Sequence, residues 1–148
     1  MPIRRVPCER AGAADNTHNQ HNYRFTSPPN NLSPGANNVV FALAVQPDQT
    51  TVLAGDFTAV NSSARNRVAR LLNTGQIDTT FNPGSGADSF INCLALQTDG
   101  RILIGGGFSS YTGVSRNGVA RLNTDGSLDT TFTPGAGVNP GDVIDHAV

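Results

Sequence analysis

Apolar and polar residues alternate in short runs along the chain, and each run recurs 51 positions later. Alternation with a period of two is typical of strands that bury one face. The runs end at turn-forming residues such as Asp99-Gly100, which favour tight hairpins. The pattern therefore predicts four strands per unit: residues 39–45, 51–57, 67–72 and 77–81 in the first unit, and 90–96, 102–108, 118–123 and 128–132 in the second.

The repeat has no gap over residues 43–86 and 94–137, where 20 of 44 aligned positions are identical. Four short strands in about 50 residues is the size of one β-propeller blade. Because one blade cannot cover both faces of its own sheet, it must stack on another. The predicted fold class is all-β, with tandem four-stranded antiparallel propeller-type blades of about 51 residues, two complete units and partial units at both ends.

The two ends of the chain differ from the repeats. Residues 1–37 are polar and predict an N-terminal leader or arm, which finishes in a degenerate repeat tail, NNLSPG, at residues 30–35. Residues 38–148 predict a propeller-type repeat domain, with units at 39–89 and 90–140 and a partial third unit at 141–148.

Composition excludes several classes of partner. The formal net charge is -1, which leaves no excess of cations to bind nucleic acid. No apolar run approaches the roughly 20 residues that span a bilayer, so membrane insertion is not expected, and the N-terminus has no signal-peptide core. Cys93 lies on a predicted strand, where we expect a buried, inert thiol.

Four motifs together are specific for a known repeat. They are QxDG at residues 97–100, GGxF at 105–108, RNxxARL at 116–122 and LDxTF at 128–132. With these motifs, residues 38–148 resemble the delta-60 repeat, an uncharacterised β-propeller repeat of bacterial secreted and cell-surface proteins. The first unit departs from the motifs at Gln49, Ala54 and Leu72. The resemblance implies a propeller-like scaffold and brings no catalytic residues to carry over.

Charged and aromatic residues that occur in both units are interpreted as structural, since a fold needs them in each blade and a chemical site needs them once. Arginines at these positions can form a ligand-binding row, or they can tie loops and pair with the repeated aspartates through the bidentate guanidinium. The second interpretation is favoured. The repeated structural positions are Arg65, Arg70, Asp78, Phe81, Arg116, Arg121, Asp129 and Phe132.

One segment has some character of a calcium loop. Asn123, Asp125 and Asp129 offer oxygen atoms around a glycine turn, which suits a hard cation. The segment lacks the first aspartate and the distant bidentate glutamate of an EF-hand. A plain Asp-Gly hairpin explains it better, and no cofactor is predicted.

The function expected from the sequence is a non-enzymatic structural or self-assembly module that forms homo-oligomers through unpaired strand edges. One alternative is a ligand- or glycan-binding propeller at the loops 61–66 and 112–117; another is an excerpt of a longer surface protein. A hydrolase is disfavoured because the aspartates lie in turns or repeated positions. The resemblance implies an extracellular or cell-surface location, with possible partners among other surface or particle proteins, and a virion or other particle reconciles it with the missing signal peptide.

Overall fold

The computed structural model describes residues 35–136, which contain ten β-strands and no helix. The predicted leader up to residue 34 and the partial third unit at 141–148 lie outside the described residues, so the division into leader and repeat domain stays a prediction. The strands of the first unit are β1 (Val40–Val45), β2 (Thr51–Gly55), β3 (Ala59–Val60), β4 (Ser63–Ala64) and β5 (Val68–Leu71). Those of the second are β6 (Ile91–Leu96), β7 (Ile102–Gly106), β8 (Ser110–Tyr111), β9 (Val114–Ser115) and β10 (Val119–Leu122).

Each unit forms one antiparallel three-stranded sheet, in the order β1–β2–β5 or β6–β7–β10. The register is the same in both units: Leu43 pairs with Leu53, and Leu94 pairs with Ile104. Both first strands also carry an irregularity at the same place, between Val40 and Ala42 and its counterpart in β6. The all-β class and the tandem, propeller-type arrangement of antiparallel units are therefore confirmed.

The fourth strand of each unit is shorter than the sequence predicts. It pairs at a single bridge, Leu71 with Ile77, and the chain then turns instead of continuing extended to Phe81. The cause is Asp78, whose carboxylate accepts hydrogen bonds from the backbone N–H and the hydroxyl of Thr80. Such local side-chain bonds compete with a ladder and favour a turn. The second unit repeats the single bridge between Leu122 and Leu128.

The polar loops 61–66 and 112–117 contain more structure than expected, because each contributes to a two-stranded ribbon, β3–β4 or β8–β9. Asn61 and Ser62 make the first turn with φ of 48° and 64°. The ribbon also extends the repeat toward the N-terminus. Ala36 bridges Val60 as Ala87 bridges Tyr111, 51 residues later.

Glycine ends the second strand of each sheet because another part of the backbone approaches it closely. A Cβ at Gly55 would overlap the carbonyl oxygen of Val39, and one at Gly106 would overlap that of Phe90. Any side chain at either position would force the first strand away from the second. Glycine at these two strand ends therefore permits the close approach of the two backbones.

The two sheets pack face to face, with β1 and β2 lying against β6. Alternation sends small residues of the first sheet and large residues of the second into the core between them. The first sheet contributes Ala42, Ala44, Val52, Ala54 and Val68, and the second contributes Leu94, Leu96, Ile102, Ile104, Ala120 and Leu122.

Candidate functional site

The end of the first unit forms a compact cluster of one arginine, one aspartate and one phenylalanine, here called the first corner (Arg70, Asp78 and Phe81). Arg70 Nε donates to Asp78 Oδ2 at 2.7 Å. The guanidinium carbon lies 4.9 Å from the centroid of the Phe81 ring. Strand pairing places Arg70 beside Val52, on the face of the sheet that meets the second unit.

The second unit repeats this cluster as the second corner (Arg121, Asp129 and Phe132). Arg121 Nε donates to Asp129 Oδ2 at 2.8 Å, and the guanidinium carbon again lies 4.9 Å from the Phe132 ring centroid. The structure thus brings together six of the eight repeated positions, three in each unit. The arginine–aspartate pairs link β5 or β10 to the turn that follows.

The carboxylates of both corners are held ionised. A hydrogen bond from the Thr131 hydroxyl, with the Arg121 guanidinium, lowers the pKa of Asp129 to about 2. Desolvation raises the pKa of Asp78, but the hydrogen bonds from Thr80 and Arg70 outweigh it and hold this pKa below its usual value. Neither group is suited to act as a general acid near neutral pH.

The first corner also joins the two units, because it lies on the hairpin that follows β10. Arg70 Nη1 donates to the carbonyl oxygen of Thr124 at 2.8 Å, and the N–H of Asn82 donates to that of Asp125 at 2.6 Å. Phe81 is fully buried, and a Cβ added to Gly126 would lie 3.0 Å from its ring. Glycine therefore makes room for the aromatic ring at this contact.

The hairpin that receives the first corner is fixed from its other side. Gly126 has a φ of 88°, and its carbonyl oxygen accepts a hydrogen bond from the Tyr111 hydroxyl at 2.9 Å. Burial raises the pKa of Tyr111, so the phenol stays protonated and donates this bond.

In the equivalent hairpin of the first unit, Asn61 Nδ2 donates to the carbonyl oxygen of Gly75 at 2.9 Å, but no phenylalanine among residues 35–136 covers the glycine. Gly75 has a φ of 85°, close to that of Gly126, but no heavy atom lies within 4 Å of the place where its Cβ would be. At the other end of the chain Phe132 is only half-buried. Among the described residues, the first corner therefore contacts the hairpin of the second unit. The second corner contacts no further hairpin, and no phenylalanine covers the hairpin of the first unit.

The first sheet also exposes the face that points away from the second unit, here called the outer face (Leu43, Val45, Leu53, Leu71 and Ile77). Leu43 is 46% exposed and Val45 is 38% exposed, whereas Leu94 and Leu96, their equivalents in the second unit, are 1% and 7% exposed. The difference arises because the second sheet turns this face toward the first unit, where small residues cover it.

Arg65 and Arg116, the other two repeated arginines, pair with no aspartate of residues 35–136. Each donates from Nη1 to the carbonyl oxygen of the preceding residue, Ala64 at 2.7 Å and Ser115 at 2.8 Å. Their Nε atoms are buried without a hydrogen-bond partner among the described residues. They therefore lie at the ribbons, apart from the corners.

The calcium candidates are held within the hairpin and the corner. Asn123 donates to the hydroxyl of Ser127, Asp125 accepts from the N–H and hydroxyl of Ser127, and Asp129 pairs with Arg121. Between residues 35 and 136 no three His, Cys, Asp or Glu side chains form a group able to hold a metal ion. Cys93 is fully buried, and its thiol donates weakly to Gly105, as expected.

One repeated pair of polar residues was missed by the sequence comparison. Asn37 Oδ1 accepts from the N–H groups of Thr58 and Ala59, and Asp88 does the same for Ser109 and Ser110. Both side chains fix the start of a ribbon. In the sequence these two residues are 51 positions apart. They lie N-terminal to the aligned segments 43–86 and 94–137, and they are not identical, so the alignment did not include them.

Comparison with known proteins agrees with this geometry. Residues 46–81 and 97–132 each match a family described as a domain of unknown function (DUF5122) β-propeller. The all-β fold and these two matches support a β-propeller repeat protein, in which the two matched segments are similar to that family. The finer resemblance to delta-60 repeats stays a prediction.

No curated protein and no solved structure matches the chain. In the part of the chain that the structure describes, no helix is long and apolar enough to cross a membrane.

Proposed function

We propose that this protein is a non-enzymatic structural module that self-associates by stacking its propeller-type units on those of further copies. The observation that carries the proposal is the outer face, where Leu43 and Val45 are exposed although their equivalents are buried between the sheets. Apolar residues that are buried in one unit and exposed in the next favour a contact that repeats.

The repeated polar groups support a structural role over a catalytic one. The arginine–aspartate pairs occur in both units with the same geometry, and their partners are strands, turns and a neighbouring unit. A catalytic site needs groups in one place with room for a substrate between them. Here the arginines and aspartates bind each other, and both aspartates keep a lowered pKa.

The sequence led us to expect association through unpaired strand edges. The contact between the two units inside the chain is instead face to face, so we place the contact between copies on the outer face. Its setting in an extracellular or cell-surface assembly, or on a virion or similar particle, rests on the resemblance to delta-60 repeats alone. The net charge of -1 makes a nucleic acid partner unfavourable.

Sedimentation velocity over a range of protein concentrations tests self-association. We expect the intact chain to form species heavier than the monomer at tens of micromolar, and Leu43→Asp to return it to the monomer because a charge on the outer face opposes apolar contact. Val114→Asp is the matched control, since Val114 is 40% exposed but lies on the β8–β9 ribbon. A folded intact chain that stays monomeric at these concentrations rules the proposal out.

A second candidate function is ligand or glycan binding at the two ribbons. It is favoured by Arg65 and Arg116, which recur at the two ribbons and are partly exposed. We expect a glycan array to detect this binding, and Arg65→Gln with Arg116→Gln to abolish it without changing the sedimentation of the chain. An array with no signal for the intact chain excludes this candidate.

A further inference from the structure

We infer that Asp56 and Arg67 form a binding site for a neutral saccharide, which they hold through two neighbouring hydroxyl groups of one sugar ring. The two side chains lie at the base of the first ribbon, where Arg67 Nε is 3.2 Å from Asp56 Oδ1. The inference rests on the second candidate function, ligand or glycan binding, and names for it a site apart from Arg65 and Arg116.

The charged pair occurs in the first unit alone, because the second unit has glycine at both equivalent positions, Gly107 and Gly118. A repeated fold needs its structural groups in each unit, whereas a binding site needs them in one place. The second unit also has no room for the pair, since a Cβ at Gly107 would lie 2.5 Å from the ring of Phe90. The first unit has the smaller Val39 at the place of Phe90, so an aspartate fits at residue 56.

The backbone of Arg67 is strained, and its ion pair does not offset the strain. Arg67 has a φ of 71°, and Gly118 has a φ of 75° at the same place. An arginine in this left-handed region carries a steric cost that glycine does not. An ion pair with a carboxylate as exposed as that of Asp56, at 43%, contributes less to stability than this cost. Strain that stability does not explain is typical of functional sites.

Asp56 differs from the other aspartates of residues 35–136, because its carboxylate accepts no hydrogen bond within that range. The carboxylates that do accept one are those of Asp48, Asp78, Asp88, Asp99, Asp125 and Asp129. Arg67 Nη1 donates to the carbonyl oxygen of Phe57 at 3.3 Å, and its Nη2 has no hydrogen-bond partner in the same part of the chain. The pair therefore presents an unused acceptor next to an unused donor.

An acceptor next to a donor matches two neighbouring hydroxyl groups of a sugar. One hydroxyl donates to the Asp56 carboxylate, and the other accepts from the Arg67 guanidinium. The two charges balance, so the site favours a neutral sugar over an anionic one, which Asp56 would repel. Val39, whose carbonyl oxygen accepts from the Asp56 N–H at 2.9 Å, is 36% exposed and offers apolar surface to the ring carbons.

Saturation-transfer difference NMR tests the site. The probes are neutral methyl glycosides whose neighbouring hydroxyls are cis or trans, with methyl glucuronide as the anionic probe. We expect saturation transfer from the intact chain to at least one neutral glycoside. A chain with both Asp56→Gly and Arg67→Gly, which restores the glycines of the second unit, is expected to bind it at least about tenfold more weakly, because two charge-assisted hydrogen bonds are lost.

Gln49→Gly is the matched control, because it also gives a positive-φ position the glycine of the second unit, but at the β1–β2 hairpin, and should leave binding unchanged. The Tm of the double variant should rise or stay within about 3 °C of the intact chain, because strain is removed with the ion pair. A larger fall in Tm shows that the pair is structural and overturns the inference. So does transfer to no glycoside, transfer to the glucuronide alone, or binding that the double variant leaves unchanged.

The outcome is separable from those of both proposed functions. Binding that Asp56→Gly with Arg67→Gly removes, and that Arg65→Gln with Arg116→Gln leaves intact, supports this site and removes the ribbon arginines from the second candidate function. The reverse result supports the ribbon arginines and overturns the inference. Self-association is judged apart from both, because sedimentation of the intact chain without sugar decides it.

Discussion

At some positions with positive φ, the second unit has glycine where the first unit has another residue. Gln49 has a φ of 69°, and the second unit has Gly100, with a φ of 85°, at the same place. An L-residue pays a steric cost in this region that glycine does not pay. The first unit tolerates it because Asp48 accepts hydrogen bonds from the backbone and hydroxyl of Thr50 and holds the turn.

Gln49→Gly is therefore expected to increase the free energy of unfolding by about 0.5–1 kcal/mol, because it removes strain and leaves the Asp48–Thr50 bonds in place. Urea unfolding measures the change. Gln49→Ala is the control and should give no gain, since alanine keeps the Cβ that causes the strain. Equal gains from both variants would show that the side chain, and not the backbone, is responsible.

At the scale of elements, the first corner and the hairpin that receives it depend on glycine at one position. Gly126 and Gly75 have nearly the same φ, but only Gly126 lies under the ring of Phe81 among the described residues. Substitutions at Gly75 and Gly126 therefore separate the free energy of straining the turn from the free energy of disturbing the contact with Phe81.

Gly126→Ala is expected to lower the free energy of unfolding by at least about 1 kcal/mol more than Gly75→Ala. Both variants strain the turn, but the methyl group at residue 126 would also lie 3.0 Å from Phe81 and push the corner away. Urea unfolding of the monomeric chain gives both values. The same loss for both variants would mean that Phe81 does not need glycine beneath it.

The sequence predicts the three longer strands of each unit well, because their alternation reports which face is buried. Leu43, Leu53 and Ala69 lie on one face, as the period of two requires. The prediction of a full fourth strand is wrong because Asp78 accepts a hydrogen bond from Thr80 and the chain turns there. The alternation of apolar and polar residues carries no information about that bond. The ribbons were missed because two-residue strands have no measurable period, and the first ribbon turns at Asn61 and Ser62 without glycine.

The candidate site is less visible in the sequence than the fold. The repeated arginines and aspartates identify Arg70 with Asp78 as a candidate pair, eight residues apart. The contact of Phe81 with Gly126 joins residues 45 positions apart through the stacking of two sheets. No local pattern encodes that distance, because it depends on how the units pack against each other.

In the whole molecule, the two units stabilise each other through a shared core. Neighbouring residues of β1 report opposite faces of the first sheet: Ala44 is 2% exposed and packs between the units, and Val45 lies on the outer face. Since stability of a repeat array is a sum of unit and interface terms, damage at the interface weakens both units.

Ala44→Asp is expected to lower the free energy of unfolding by about 3 kcal/mol or more, because it buries an unpaired charge. Val45→Asp should change it by less than about 1 kcal/mol. In a Tyr23→Phe background Tyr111 is the sole tyrosine, and its fluorescence reports the second unit. A first-unit substitution that leaves the Tyr111 transition unchanged would show that the units unfold independently.

The unequal sizes of the two sheet faces give the stacking a polarity. Two copies related by a two-fold axis through the outer face would set leucine against leucine, whereas inside the chain leucines of one sheet meet alanines of the other. In the proposed assembly, successive units therefore follow one another in a single orientation, each turned by the same angle from the last. Cyclic and helical symmetry satisfy that condition, and the angle between units decides whether the array closes on itself or continues as a filament.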